Sequence, residues 1–333
     1  MDNQRLYLVT GAAGHLGRVL TERLIEQGQK VRAFVLPGEK MLPPNAEIFY
    51  GDVRDKNSLM PCFEACSNHD LVVVHCAGIV SISSKFSQIL HDVNVTGSKN
   101  IADLCVEYGV SKLIYVSSVH AIPEKPHGMV ITEINDFDPD LLVGQYAKTK
   151  AEATAYVLEL AAKQNLNVSV VHPSGIIGPF DYGCAHMTAM IIDYCKGRLT
   201  SGIIGGYDFV DVRDVAKGII LAGNNGKKGA CYILSNHYYT VAELLRMLSK
   251  ITGRRRMRSF LPIWFVKMTA PLAEIYYKIR RKPPLFTPYS IETLQSNANF
   301  SHEKASSELG YQTRDMKQTL LDTVNWLKEQ GRV

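Results

Sequence analysis

Tyr146 and Lys150 lie four residues apart in Tyr146-Ala-Lys-Thr-Lys150, inside a helical pattern over 144–164. That spacing puts both side chains on one helix face. A buried ammonium beside a phenol stabilises the phenolate and is expected to draw the tyrosine pKa down from about 10 toward working pH. A tyrosine so tuned can pass a proton to or from an alcohol while hydride moves to or from a nicotinamide. Alone, Tyr-x-x-x-Lys arises by chance in many helices. Its context is more specific: Ser117 and Ser118 close an apolar run of strand length upstream. A serine at that strand end can hydrogen-bond a substrate oxygen beside Tyr146.

A second cluster suits a phosphate ligand. Thr10-Gly11-Ala12-Ala13-Gly14-His15-Leu16-Gly17 follows an apolar run and opens a helical pattern. Glycines at this spacing let the backbone turn tightly and approach a pyrophosphate, while the helix N-terminus offers free N–H groups. The residue about twenty positions on discriminates between the nicotinamide dinucleotides. That position is Leu36, and neither it nor Pro37 nor Gly38 is acidic. The missing carboxylate removes a repulsion against a 2′-phosphate and favours NADP over NAD, with loss of discrimination as the alternative. His15, Arg18, Arg32 and Lys40 are the basic residues available to such a phosphate. Asp52 and Val53 follow a third strand, where a carboxylate can accept from an adenine amino group or cap a turn. His75-Cys76-Ala77-Gly78 follows a fourth. The small residues there leave room for a cofactor, and His75 alone reads as a core histidine.

The elements that must position these residues alternate. Strand candidates are Leu6–Val9, Val31–Leu36, Glu47–Tyr50, Leu71–His75, Lys112–Ser117 and Val168–His172. Helical patterns lie over 15–28, 56–67, 93–109 and 144–164. Strands separated by helices imply right-handed crossovers and a doubly wound parallel sheet of α/β class, covered on both faces. From about residue 173 Gly and Pro become frequent and the elements shorten. We expect a dinucleotide-binding part over 1–173, with 208–235 returning to it. A smaller, discontinuous substrate-binding part takes 174–207 and 236–333. The segments 79–90, 120–126 and 180–190 are expected to form the substrate pocket, with Val80, His120, Phe180 and Met187 as lining residues beside Ser118. Their mix of Ser, Phe, Tyr and Met suits a largely apolar cavity with a few polar handles.

Composition excludes other classes. The chain has 333 residues, 46% hydrophobic and 21% charged, ordinary for a globular protein. A net charge of +5 is mild and calls for no nucleic-acid partner. The seven cysteines show no Cys-x-x-Cys and read as reduced thiols. Cys62 and Cys66 share a helical spacing, but no further ligands follow, so no metal is expected. The N-terminal residues carry no export signal and no apolar run is long enough to span a bilayer, so a cytoplasmic setting is expected. The segment 259–288 joins a long apolar pattern to Lys278, Arg280, Arg281 and Lys282. It reads as a helix packed on the sheet domain or as one pressed on a membrane surface.

These motifs together resemble the extended short-chain dehydrogenases/reductases, the NAD-dependent epimerase/dehydratase superfamily. The matching elements are TGAAGHLG (10–17), GDVRD (51–55), HCAG (75–78), NVTGS (94–98), YVSS (115–118), YAKTK (146–150), HPSGIIGP (172–179) and DFVDVRDVAKG (208–218). The C-terminal third, with LPIWFVKMTAPLAEIYY and KPPLFTPYS, is similar to the dihydroflavonol reductase and 3β-hydroxysteroid dehydrogenase branch. The resemblance implies Ser118, not Ser117, as the catalytic serine, Tyr146 as acid/base, and Lys150 also holding the nicotinamide ribose. It places Pro173 and Ser174 against the nicotinamide, Asn94 beneath the site and Asp214 in a structural role. His172 departs from the arginine often found before that proline. A homodimer through two long helices is implied by resemblance alone.

Three activities compete. A reductase or dehydrogenase acting on an alcohol–carbonyl pair of an apolar small molecule fits the C-terminal similarity. A nucleotide-sugar epimerase would return hydride to the same substrate. Dehydration is disfavoured because Ser118 is followed by Val119-His120-Ala121-Ile122, without a carboxylate pair. A non-catalytic dinucleotide-binding regulator would have no need of the Ser118/Tyr146/Lys150 set.

Overall fold

The computed structural model describes residues 5–64, 70–81, 86–262, 264, 265, 268 and 292–333. Cys66, part of the expected pocket loop (82–85) and nearly all of 263–288 therefore lie outside the described residues.

The apolar runs become parallel strands. β1 (Leu6–Thr10), β2 (Lys30–Val35), β3 (Glu47–Tyr50), β4 (Leu71–His75), β5 (Lys112–Val116), β6 (Val168–Pro173) and β10 (Ala230–Leu234) form one seven-stranded sheet. Its order is β10-β6-β5-β4-β1-β2-β3, and every pairing is parallel. Successive side chains leave opposite faces. Leu6 and Leu8 accordingly enter one core while Tyr7 and Val9 enter the other. Leu113 and Tyr115 oppose Ile114 and Val116 in the same way. A sheet buried on both faces explains why LVVVH reads as an unbroken apolar run.

Helices α1 (His15–Glu26) and α7 (Val212–Asn225) cover one face. Helices α2 (Lys56–Phe63), α4 (Gly97–Glu107) and α5 (Gln145–Lys163) cover the other. The order reverses between β1 and β4, which opens a crevice at the strands' carboxyl ends, where ligands bind in such sheets.

The single helix expected over 93–109 is divided. A short α3 (Gln88–His91) runs into a π-helical turn, Asp92–Thr96, before α4. Asn94 sits in that turn and is fully buried. Such turns insert an extra residue and re-aim side chains, often at functional sites.

Beyond β6 the chain builds a smaller sheet. β7 (Gly175–Ile177) and β11 (His237–Thr240) flank β9 (Gly206–Asp211). β8 (Gly202–Ile203) pairs separately with β12 (Phe260–Leu261). Residues 208–211 thus belong to the small sheet, and the return to the large one runs through α7 into β10. Helices α6 (His186–Cys195) and α8 (Val241–Thr252), with two C-terminal helices over Glu303–Leu309 and Met316–Glu329, complete the described fold. Among the described residues, no helix is long and apolar enough to cross a membrane.

Candidate active site

The glycine-rich turn joins β1 to α1 at the crevice. Gly11 has φ +67°, and a Cβ there would lie 2.8 Å from the Ala77 backbone. Only glycine combines that backbone angle with that approach. A Cβ at Gly14 would meet only Gly11 O, at 3.2 Å, and otherwise project into open space. Gly14 caps α1 without a side-chain acceptor, so the first N–H groups of the helix are left for an external anion.

A cleft of about 380 Å³ opens here. Of the sequence-derived candidates, Gly11, Ala13, Gly14, Leu36, Asp52, Val53, Cys76, Ala77 and Gly78 line it. Thr10, His15, Leu16 and Gly17 do not. Gly17 is packed into the turn, where a Cβ would overlap Gly11 O at 2.2 Å. His15 Nε2 pairs with Pro179 O at 2.8 Å, and burial holds its pKa below the ordinary value, so the ring does not serve a phosphate in this arrangement. Arg32 donates to the Cys62 and Glu64 carbonyls and pairs with Glu47, which removes it from the same expectation. Sequence reasoning missed Phe34, Glu39, Arg54 and Val93, which also line the cleft, and Ile79 and Ile89, from the segment expected to line the substrate pocket, line this cleft instead. Arg54 is held by Asp52 through a bidentate pair. Glu39 lies one residue past the window tested for a carboxylate.

Beneath the cleft a buried chain of hydrogen bonds locks the strand ends. Ala77 N–H donates to Thr10 Oγ1, at 3.2 Å. Thr10 Oγ1 bonds His75 Nδ1 at 2.7 Å, His75 Nε2 bonds Ser98 Oγ at 3.0 Å, and Ser98 Oγ donates to Asn94 O at 2.7 Å. Because Ser98 spends its proton on Asn94, the network is complete only with a neutral His75 protonated at Nε2. Burial agrees, lowering the His75 pKa to about 3. Thr10 therefore braces the turn from below. Asn94 extends the brace to α5: its Oδ1 accepts from Ile79 N, and its Nδ2 donates to Ile79 O and Thr149 Oγ1.

On α5, Tyr146 and Lys150 are both buried. Lys150 Nζ donates to Val116 O at 2.9 Å and lies 3.4 Å from the position a Gly78 Cβ would take, so it reaches the cleft wall. Burial lowers its pKa to about 8. Ser117 turns into α5 and bonds Thr154 Oγ1 at 2.7 Å. Ser118 faces Tyr146 instead, and their hydrogen bond favours the phenolate. The expected lowering of the Tyr146 pKa is not what the geometry gives. Burial outweighs the Ser118 bond and holds the phenol above its ordinary value. The Lys150 ammonium points to Val116 O and the cleft.

His120 is half-buried, not an exposed loop residue. Its ring stacks on Tyr207 at 5.6 Å and meets Tyr146 edge-on at 5.8 Å. Its Nε2 lies 3.2 Å from Tyr207 Oη, and burial lowers its pKa to about 4. His120 and Tyr207 wall a second cavity with Val119, Ile122, Leu142 and Phe300. Val80, Phe180 and Met187 are not among its lining residues. Val80 is exposed, Phe180 packs edge-on against Trp326, and Met187 rests on the core. Ser174 is turned away from the crevice and donates to the buried Asp208 carboxylate, whose pKa burial raises to about 6. Pro173 ends β6 at the crevice. His172 donates from Nδ1 to Ser118 O at 3.0 Å and stacks on Phe137. Asp214 pairs with Arg314. No cluster of metal-binding side chains is present among the described residues.

Comparison with known proteins agrees with this architecture. The model of the NAD dependent epimerase/dehydratase family matches residues 7–235. "Sterol demethylase protein B" of Methylococcus capsulatus is 31% identical over 335 residues, covering 98% of this chain and 99% of that protein. "3beta-hydroxysteroid-dehydrogenase/decarboxylase isoform 1" of Arabidopsis thaliana is 28% identical over 369 residues, covering 99% and 82%. The crystal structure of gox2253 superposes with a TM-score of 0.84 at 29% identity, covering 98% and 99% of the two chains. The chain thus belongs to the NAD dependent epimerase/dehydratase family and is an NAD(P)-dependent oxidoreductase of the extended short-chain dehydrogenase/reductase type.

Proposed function

We propose that the protein transfers hydride between a nicotinamide dinucleotide and a secondary alcohol or ketone on a largely apolar, sterol-like small molecule, with net oxidation or reduction of that substrate. Tyr146 Oη takes the alcohol proton during oxidation and returns it during reduction. Ser118 Oγ holds the substrate oxygen beside it, and Lys150 Nζ, at the Gly78 wall, binds the nicotinamide ribose. The dinucleotide, when bound, supplies or accepts the hydride. Gly11, Ala13 and Gly14 with the α1 N-terminus cradle its pyrophosphate, and Asp52 and Val53 flank the adenine.

The observation that carries this reading is the junction of two hollows. Lys150 reaches the dinucleotide cleft at Gly78, and one turn earlier Tyr146 meets Ser118 and His120 at the edge of the second cavity. The cavity, of about 130 Å³, sets the apolar side chains of Val119, Ile122, Leu142 and Phe300 beside the polar Glu124, Glu292, Thr293, Ser296 and Asn297, a lining that offers an apolar substrate a few polar handles. The names of the sterol and hydroxysteroid relatives support the same class.

Burial raises the Tyr146 pKa and the Ser118 hydrogen bond lowers it, and we infer that the bound dinucleotide and substrate bring it down further. Leu36 favours NADP and Glu39 opposes a 2′-phosphate, so we propose weak discrimination between the two dinucleotides. We also propose 1–173 with the α7–β10 return as the dinucleotide-binding part.

The test is an assay of 3β-hydroxysteroids and of UDP-glucose with each dinucleotide, followed at the nicotinamide absorbance. Stoichiometric cofactor turnover with a hydroxysteroid is expected. Epimer interconversion of the sugar without net cofactor change would overturn the reading.

A further inference from the structure

The basic stretch Arg254-Arg255-Arg256-Met257-Arg258 takes no part in either hollow. It follows α8, whose last turn ends at Gly253 in the left-handed conformation. The chain then reaches β12, which pairs with β8. Gly202 N donates to Ser259 O and Ile204 N to Leu261 O, so the loop after α6 lies beside the arginine loop. A shallow hollow of about 410 Å³ is lined by both loops, including Gly197, Thr200, Arg254, Arg256 and Arg258.

Arg254, Arg255, Arg256 and Arg258 are all exposed, as are Lys196 and Arg198 across the hollow. Among the described residues none of the six forms an ion pair with a carboxylate. The nearby Asp193 lies on α6, and its backbone carbonyl accepts from the N–H groups of Arg198 and Leu199. Large exposed apolar side chains follow β8 and β12, the two short strands that lead out of these loops. Ile204, next to β8, is 54% exposed, and Trp264 and Met268, just beyond β12, are 67% and 62% exposed. A solvated loop needs neither uncompensated guanidinium groups nor an exposed indole beside them.

We propose that this face, Lys196–Thr200 with Arg254–Ser259 and the side chains of Ile204, Trp264 and Met268, docks the protein on an anionic lipid bilayer. The arginines meet the headgroups, and Trp264 with the neighbouring apolar side chains enters the interfacial layer, where indoles are favoured. Charge complementarity selects the anionic bilayer over a neutral one, and the adjacent apolar side chains select it over a nucleic acid, which offers them nothing to enter. The proposal stands apart from the Tyr146 site, although a sterol-like substrate would be drawn from the same bilayer.

The experiment is vesicle flotation of the full chain at low salt, with phosphatidylcholine alone and with about one quarter phosphatidylglycerol. Binding to the mixed vesicles only, with a blue shift of Trp264 fluorescence, is expected. Each basic residue near the surface is worth about 1 kcal/mol, roughly fivefold in partitioning. The variant Arg254→Ala/Arg256→Ala/Arg258→Ala should therefore lose about 100-fold. Trp264→Phe should abolish the blue shift. The triple variant keeps the wild-type circular dichroism and its turnover of a water-soluble alcohol, which separates failure here from failure of the active-site assignment. The salt dependence of wild-type binding tests the charge component without any variant and should remove most of it by 0.5 M. Absent binding, equal affinity for neutral and anionic vesicles, an unaffected triple variant, or displacement from vesicles by duplex DNA each overturns the proposal.

Discussion

The two hollows on either side of Lys150 are built differently. The dinucleotide cleft is walled after β1 and β4 by backbone and small residues, Gly11, Ala13, Gly14, Cys76, Ala77 and Gly78, and elsewhere by side chains such as Phe34, Leu36, Asp52 and Arg54. The cavity beyond His120 is made of side chains and held by long-range polar contacts. Asn297 N donates to Glu124 Oε1, and Asn297 Nδ2 reaches the carbonyls of Lys125, Pro126 and Met129. Tyr207 reaches His120 across 87 residues of chain. A backbone-built wall accepts one ligand shape and resists drift, because it is fixed by strand pairing. A side-chain-built cavity changes with each residue. One fold can thus keep a cofactor while its substrate varies.

If the junction between the hollows carries the chemistry, Tyr146→Phe should show it most strongly. Removing the phenol hydroxyl takes away the proton carrier and leaves both hollows in shape. Turnover should fall by roughly 10³-fold. Dinucleotide affinity by calorimetry should stay within about twofold, since the aromatic ring remains. Near-normal turnover would misplace the site, and a parallel loss of dinucleotide affinity would mean that the hollows are not separable.

Gly11→Ala attacks the cleft alone. Its φ of +67° and the 2.8 Å approach to Ala77 combine backbone strain with overlap. A cost of about 3–4 kcal/mol in stability is expected. Dinucleotide affinity should fall with it, because Ala77 lines the cleft. Thermal unfolding with and without dinucleotide measures both. A variant as stable as wild type would show that the turn is adaptable and the contrast overstated.

The first hollow was legible in the sequence for the same reason that it is rigid. Leu71–His75 and Glu47–Tyr50 match their strands residue for residue, since continuous apolar runs bounded by Gly and Asp leave little choice of register. The Tyr146 and Lys150 pair was legible from helical spacing. The second hollow was not. Nothing local in Asn297 announces that it clamps a loop more than 160 residues earlier, and β9, which supplies Tyr207, is buried throughout and shows no alternation to set it apart. The π-turn that aims Asn94 reads as ordinary helix, because one inserted residue hardly alters the apolar pattern. Phe180 and Met187 looked suited to a pocket by type alone, yet a core accepts the same types. Glu39 is an acidic residue three positions past Leu36, at the loop after β2, where a carboxylate is legible from sequence.

The second hollow also carries an acid sensitivity. His120 has a pKa of about 4 in the folded chain, against 6.5 when unfolded. Below 6.5 the unfolded chain binds the additional proton, so stability rises with pH across this window. The contribution is complete above pH 6.5 and is lost as the pH falls toward 4, by about 3 kcal/mol at most. His172, also at about 4, and His75, at about 3, act in the same direction. His120→Phe should therefore flatten, without abolishing, the fall in melting temperature between pH 7 and pH 4.5. An unchanged slope would mean that His120 opens to water in solution and that the cavity is looser than its stacked rings imply.

The smallest effect concerns the rim of the first hollow. Leu36 is 51% exposed and lines the cleft with Glu39. A carboxylate at this position accepts from a ribose 2′-hydroxyl and repels a 2′-phosphate. Leu36→Asp should shift the ratio of NADP to NAD affinity by about tenfold toward NAD, or about 1.4 kcal/mol. The side chain is exposed, so the melting temperature should hardly move. Side-by-side titration of the two dinucleotides reads the shift. If the ratio does not move, the 2′ position lies elsewhere on the rim, and Glu39 and Arg54 become the residues to vary. If it moves without loss of NAD affinity, the cleft has accepted a change of ligand through a side chain on its rim, and the rigidity of the first hollow extends only as far as its strand ends.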